Sequence, residues 1–248
     1  MLIDGLDGLD TTLQADGLPV ACQNAWENDT GQFTHTAATF LRAFSALVRA
    51  PLPESVRERA RAGADAVAAG LDQLWCADRG VFATKLSEGV RDDRLDASTL
   101  ALPAAHAEYA ALVGGLDATR RDHLAGHVET TLEGLYRETD SVAGLIRFEG
   151  DSWRRRDQKS EKIWSVSTVW GANAAAVLSG LFADEQERAT AFDARARELL
   201  GLVLPDGPLC LSNGYLPEQV FDDGTPDSAT PLGWSHAMRL ATTARLGP

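Results

Sequence analysis

Apolar positions recur at helical spacing over most of the chain. Phe33, Ala37, Phe40, Leu41, Phe44, Leu47 and Val48 follow the i, i+4, i+7 rule of one helical face, and Pro51-Leu52-Pro53 ends that element. Val56, Ala60, Val67, Leu71 and Leu74 repeat the pattern with Arg57, Glu58, Arg61 and Asp65 outside, which predicts a second helix joined to the first by a short turn. Further helices are predicted over about 98–112, 118–136, 164–181 and 233–246, with a short one over about 4–15. Another starts near Asp184, where Glu187 three residues on gives the spacing of a capping box, and its apolar face is Ala189, Phe192, Ala196, Leu199, Leu200 and Val203. No convincing strand run is present.

The helices differ in character, and the difference predicts an architecture. Val169-Trp170-Gly171-Ala172-Asn173-Ala174-Ala175-Ala176-Val177-Leu178 is small and apolar nearly all round, so this helix is expected to be covered on every side. The segments from about Glu54 and Asp184 are charged on one face and belong outside. Inner helices alternating with outer ones suggest an all-α fold in concentric layers, as in an α/α toroid. No glycine-rich phosphate loop follows a strand, which disfavours nucleotide-binding α/β folds. With neither an internal repeat nor a linker, residues 1–248 read as one domain.

Two loops carry the candidate chemistry. In Leu216-Pro217-Glu218-Gln219-Val220-Phe221-Asp222-Asp223-Gly224, the Asp-Asp-Gly run is turn chemistry, and Glu218 lies in a fixed loop ahead of the last helix, which begins with Gly233-Trp234-Ser235-His236-Ala237. Near the other end, Asn24-Ala25-Trp26-Glu27-Asn28-Asp29-Thr30-Gly31 again sets a carboxylate in a loop before an amphipathic helix. Read alone, either glutamate is an ordinary surface residue. Together with Leu95-Asp96-Ala97-Ser98 and Gly144-Leu145-Ile146-Arg147-Phe148-Glu149-Gly150-Asp151, the two loops form four ordered motifs over nearly the whole chain.

In that order the motifs resemble glycoside hydrolase family 15, the glucoamylases and related α-glucosidases. The resemblance implies a partial (α/α)6 toroid, a six-hairpin barrel lacking its early helices, with Glu27 as general acid and Glu218 as general base of an inverting, exo-acting α-glucosidase. An inverting pair is expected to face one another at roughly 6.5 to 9.5 Å, leaving room for one water. Trp26 is expected to withdraw water from Glu27, Arg147 to donate to sugar hydroxyls, and Trp164, near a helix start, to offer a ring to the sugar in preference to Trp153 and Trp170. Phe148 replaces the family's usual Tyr, and Asn28 departs from a frequent Trp-Glu-Glu pattern. The substrate implied is an α-1,4-glucan or oligosaccharide, with no cofactor and no metal. Trehalase-like or isomaltose-type glucosidase activity is equally compatible with the two carboxylates, and an inactive helical interaction module is the reading from another class. The family's early Arg-Asp pair is not in this sequence, which implies a fragment or a chain that pairs with a separate polypeptide carrying the N-terminal half. Such a chain alone is expected to be marginally folded and nearly inactive, with the inner helix 169–181 uncovered on one side.

Charge and composition narrow the remaining classes. The chain has 36 acidic and 23 basic residues, a formal charge of −13, and only Lys85, Lys159 and Lys162 are lysines. Such a balance repels nucleic acid and anionic membranes; it suits a halophilic protein and equally one from a GC-rich genome. The basic run Arg154-Arg155-Arg156-Asp157-Gln158-Lys159-Ser160-Glu161-Lys162 is too short for a nucleic-acid arm and reads as a solvated loop on the rim of the site. Cys22, Cys76 and Cys210 read as buried small hydrophobes, and the i, i+4 pair His123 and His127 as solvated surface rather than a metal site. The first residues show neither a basic nor an apolar targeting region, and no run approaches the roughly 20 apolar residues of a membrane span, so a cytoplasmic protein is expected.

Overall fold

A computed structural model describes residues 2–158 and 160–247; Met1, Lys159 of the basic run and Pro248 lie outside it. Eight α-helices dominate the described residues, and eleven strands of two to four residues connect them in small sheets. The chain divides into two compact units, Met1–Arg94 with Ala101–His127 and Leu95–Leu100 with Val128–Pro248.

The first unit contains α1 (Leu2–Thr12), α2 (Thr34–Arg49), α3 (Glu54–Asp72) and α4 (Leu102–Val113), with the start of α5 (Ala118–Leu135). Its strands are β1 (Cys22–Gln23), β2 (Thr30–Phe33), β3 (Trp75–Cys76), β4 (Val81–Phe82), β5 (Lys85–Ser87) and β6 (Val90–Asp92). The predicted α2–α3 hairpin is present, and the helices approach closely because α3 is lined with small residues. A Cβ on Gly63 would lie 2.5 Å from the Phe44 ring. The sheet β1-β2-β5-β6 is antiparallel throughout, and its strand β2 runs directly into α2.

The histidine pair is not solvated surface. His127 is buried and accepts the Phe82 N–H at Nδ1 (3.2 Å), while His123 stacks on Trp75 with ring centroids 3.9 Å apart. A buried backbone donor needs an acceptor, and His127 supplies it from the face of α5 that also buries Leu124 and Ala125. The cysteines are half-buried free thiols rather than fully buried core residues.

The second unit contains the rest of α5, α6 (Ser165–Leu181), α7 (Gln186–Gly201) and α8 (Gly233–Leu246). Its strands are β7 (Tyr136–Glu138), β8 (Ala143–Leu145), β9 (Ile163–Trp164), β10 (Gln219–Val220) and β11 (Pro226–Asp227). Helix α6 is buried from Ser165 to Leu178 except at Trp170, and it packs on α7, α8, β8 and β9. The expectation that it lacks neighbours on one side is therefore overturned. Gly171 shows how tightly it is held, since a Cβ there would come within 2.7 Å of Leu145 and 2.8 Å of Leu132. Helix α7 starts at Gln186 with no side-chain cap, because Asp184 is part of the preceding turn and the Glu185 N–H bonds Phe182 O at 2.7 Å.

The strands escaped the sequence pattern because segments of two to four residues have no period to read. They are nonetheless what carries both candidate carboxylates.

Candidate active site

In the first unit, residues 24–29 form the hairpin loop between β1 and β2. The Asn24 N–H reaches Asp29 O (3.0 Å) and the Glu27 N–H reaches Asn24 O (3.1 Å), closing a tight turn. Side chains brace it further. Gln23 Nε2 donates to Glu27 O (2.8 Å), and Asn24 Nδ2 donates to Asn28 Oδ1 (2.8 Å), so Asn28 stabilises the loop at the position where the family pattern carries a second glutamate. Glu27 itself has φ +58°, a left-handed conformation that costs a non-glycine residue about 1–2 kcal/mol. Its neighbour Trp26 is buried, while Glu27 is exposed, so water is not withdrawn from this residue in the way the sequence led us to expect. Two residues on, Lys85 of β5 reaches Asp29 Oδ2 at 2.5 Å and lies 5.8 Å from the Phe33 ring centroid. The Lys85 hydrogen bond holds the Asp29 carboxyl below the usual range.

In the second unit the two middle motifs meet. Asp96 and Phe148 form an antiparallel bridge, Ala97 N–H donates to Arg147 O (2.9 Å), and Glu149 returns a side-chain bond to Leu95 N–H (2.8 Å). This fixes Arg147, whose Nε and Nη2 grip the two oxygens of Asp151 at 2.9 and 2.8 Å in a buried bidentate pair. Those two donors are thus spent on Asp151 rather than held out for sugar hydroxyls. The guanidinium lies 4.6 Å from the Trp164 ring and 4.6 Å from the Phe148 ring. Phe148 is one face of that stack.

The tryptophans are arranged differently from expectation. Trp164 is 4% exposed and braces Arg147, whereas Trp153 is 43% exposed and tilts against it at 6.4 Å. Trp170 is half-buried. Solvent reaches the Trp153 ring, and sequence reasoning passed it over because nothing local separates one loop tryptophan from another.

Glu218 is half-buried at the start of β10. Its N–H donates to Ala229 O (2.8 Å), its O accepts from Ser165 N–H (3.2 Å), and β10 pairs with both β9 and β11, setting Gln219 beside Trp164 and Asp227. The Trp-Ser-His motif of α8 now has a physical role. Ser235 bonds Ser165 Oγ (2.7 Å), which in turn donates to Pro217 O, and His236 Nε2 accepts the Leu216 N–H (3.1 Å). Partial burial, with Arg239 nearby, lowers the His236 pKa and keeps that nitrogen an acceptor. Neither amide atom of buried Gln219 has a hydrogen-bond partner among the described residues. The predicted turn at Asp222-Asp223-Gly224 is present, with Gly224 at φ +80° and its N–H on Phe221 O (2.9 Å).

Beside this strand lies a second buried ion pair. Lys162 Nζ contacts Asp227 Oδ2 at 2.7 Å and lies 4.8 Å from the Trp153 ring and 5.2 Å from the Phe221 ring. The Lys162 hydrogen bond holds Asp227 below the usual carboxylate range. Of the candidate residues, then, Arg147, Trp164 and Glu218 come together in the second unit, and Trp26 and Glu27 belong to the first. Among the described residues no group of three or more His, Cys, Asp or Glu side chains could hold a metal ion, and no helix is long and apolar enough to cross a membrane.

No protein-family model matches the sequence, and no curated protein matches it either. Solved structures do match in fold. A glycoside hydrolase family 15 glucoamylase from Hypocrea jecorina superposes with a TM-score of 0.67 at 17% identity, over 96% of this chain and 45% of that one. A family 76 glycoside hydrolase, a mannosidase from Bacteroides thetaiotaomicron, gives 0.63 at 12% identity over 99% and 66%. A D-mannose isomerase gives 0.58 at 13% identity over 87% and 53%. The chain thus spans less than half the length of the glucoamylase it matches, and at these identities the likeness shows the fold: an all-α toroid of the glucoamylase and mannosidase type.

Proposed function

We propose that this chain carries the two reacting carboxylates of an inverting, exo-acting α-glucosidase that releases β-glucose from the ends of α-1,4-glucans. Glu27 is the general acid that protonates the leaving oxygen, and Glu218 is the general base that activates water. The observation that carries the reading is the coincidence of motif and fold. The chain aligns over almost its whole length with a glucoamylase, and each glutamate lies in a braced loop ahead of a helix at the motif positions. Glu27 is exposed in the free protein, and a sugar bound over it displaces water from its carboxyl. Trp153 offers a face for the sugar ring, and Arg147 with Trp164 forms the rigid support beneath it.

The test is the anomer released. Proton NMR of the first turnovers on maltotriose, using the natural polypeptide that carries this chain, is expected to show β-glucose, since water enters from the face opposite the leaving group. Release of α-glucose overturns the mechanism. Turnover of α-mannosides with none of maltotriose overturns the substrate class.

A further inference from the structure

Twenty-three basic residues include only three lysines, and arginine fills every other cationic position. Both described lysines do the same thing in different places. Lys85 extends from β5 to the carboxylate of Asp29, two residues after Glu27, with its side chain 14% exposed. Lys162, immediately before β9, crosses to the carboxylate of Asp227 on β11 with its side chain 2% exposed, spanning the strand that continues from Glu218. Each ammonium also lies against aromatic rings, Phe33 for Lys85, Trp153 and Phe221 for Lys162.

We propose that Lys85 and Lys162 are positioning residues, one for each reacting carboxylate, and that Lys162 also sets the angle of the Trp153 platform. The chemistry explains the choice of residue. An ammonium is a compact point charge on a flexible stem, and it reaches a single carboxylate oxygen across a neighbouring strand in both places. Lys85 ties the loop of the strained Glu27 to the β2–β5 pair, so that the left-handed turn points the same way in every molecule. Lys162 ties β9 to β11 across β10, which removes the freedom of Glu218 to tilt with its own short strand.

This assignment rests on the glycosidase reading, and the experiment separates the two. Maltose needs both acid and base, whereas α-glucosyl fluoride has a leaving group that needs no proton. In the natural polypeptide, Lys85→Met is expected to slow maltose turnover on the order of 10-fold while changing the fluoride rate little, and Lys162→Met to slow both substrates on the order of 10-fold or more. Lys162→Met leaves Asp227 buried without its cation, so the double variant Lys162→Met/Asp227→Asn is made beside it. Its melting temperature is expected to recover while both substrates stay slow. Recovery of activity together with stability, or an equal loss on both substrates in the Lys85 variant, overturns the positioning role. The parents Glu27→Gln and Glu218→Gln report on the reading beneath it: if they show no such division between substrates, the glycosidase assignment falls and the lysine assignment with it. If they show it and the lysine variants do not, only the lysine assignment falls.

Discussion

The loops of Glu27 and Glu218 are built on opposite principles. The first is a six-residue hairpin loop braced largely by its own side chains and exposed at the critical residue, with a backbone held at φ +58°. The second leads straight into the central strand of a three-stranded sheet, its backbone spoken for by Ser165 and Ala229 and its flank closed by a buried ion pair. The contrast suits the two roles proposed for them. A general acid has to meet the leaving group's oxygen, and an exposed loop held in one orientation by Lys85 presents it to solvent-borne substrate. A base that aims one water gains from a fixed frame.

The largest effects that break or sharpen this contrast are catalytic. Glu218→Gln is expected to lower turnover of maltose and of α-glucosyl fluoride alike by roughly 100- to 10,000-fold, and Glu27→Gln to do so for maltose with a much smaller loss on the fluoride. Steady-state rates on the two substrates decide it, and equal losses in all four measurements would contradict the division of labour.

Stability comes next. Removing one partner of the buried Lys162–Asp227 pair costs about 3–5 kcal/mol, whereas the more exposed Lys85–Asp29 pair is worth about 1 kcal/mol. Urea unfolding of Lys162→Met and Lys85→Met should therefore give clearly unequal midpoints, and equal ones would mean that the two loops are held with similar force.

Acid acts next, through buried groups. His106 is completely buried in α4, and burial pushes its pKa down from the ordinary 6.5 to about 4. The unfolded chain takes up this proton near pH 6.5 and the folded chain only near 4. Stability is therefore whole above that window and falls as pH drops through it, by on the order of 3 kcal/mol. Both Asp29 and Asp227, held low by their lysines, keep their contributions above the usual carboxylate range and lose them only as pH falls below it. Melting curves between pH 7 and 4 should slope for the wild type and slope less in His106→Leu, the remainder coming from His35 and His236, which burial also lowers; an unchanged slope would place the sensitive group elsewhere.

The smallest effect concerns strain. Glu27→Gly relieves the left-handed backbone and should raise stability by about 1 kcal/mol while abolishing maltose turnover. A loss of stability instead would show that the carboxylate itself holds the loop.

What the sequence made legible follows the length scale of the pattern. Helix α6 was readable because ten consecutive small or apolar residues admit one environment, and the α2–α3 hairpin because its stripes run over four turns or more. The turn after Glu218 was readable from Asp-Asp-Gly alone. The strands were not, since β9, β10 and β11 are two residues each and exist through pairing with one another. The same holds for the rings. Trp164 is buried because Arg147 of a distant segment stacks on it, and His127 is buried because Phe82 of β4 needs an acceptor. Such roles are conferred by partners far away in the chain, and no window around the residue contains them.

The exposed Trp153 has an optical consequence. Its indole is ringed by Arg147, Arg154 and Lys162 with centroid distances of 5.9, 5.2 and 4.8 Å, so the electric field across it changes whenever one of those cations moves or a neutral sugar displaces the water above it. Trp26 and Trp164 lie in the interior and Trp75 and Trp170 are half-buried, so all four emit at shorter wavelength than Trp153 and the still more exposed Trp234, which form the red edge of the emission. Replacing Trp234 with phenylalanine would leave that edge to a single ring, and saccharide binding could then be followed in the native protein without a label, as a shift in colour.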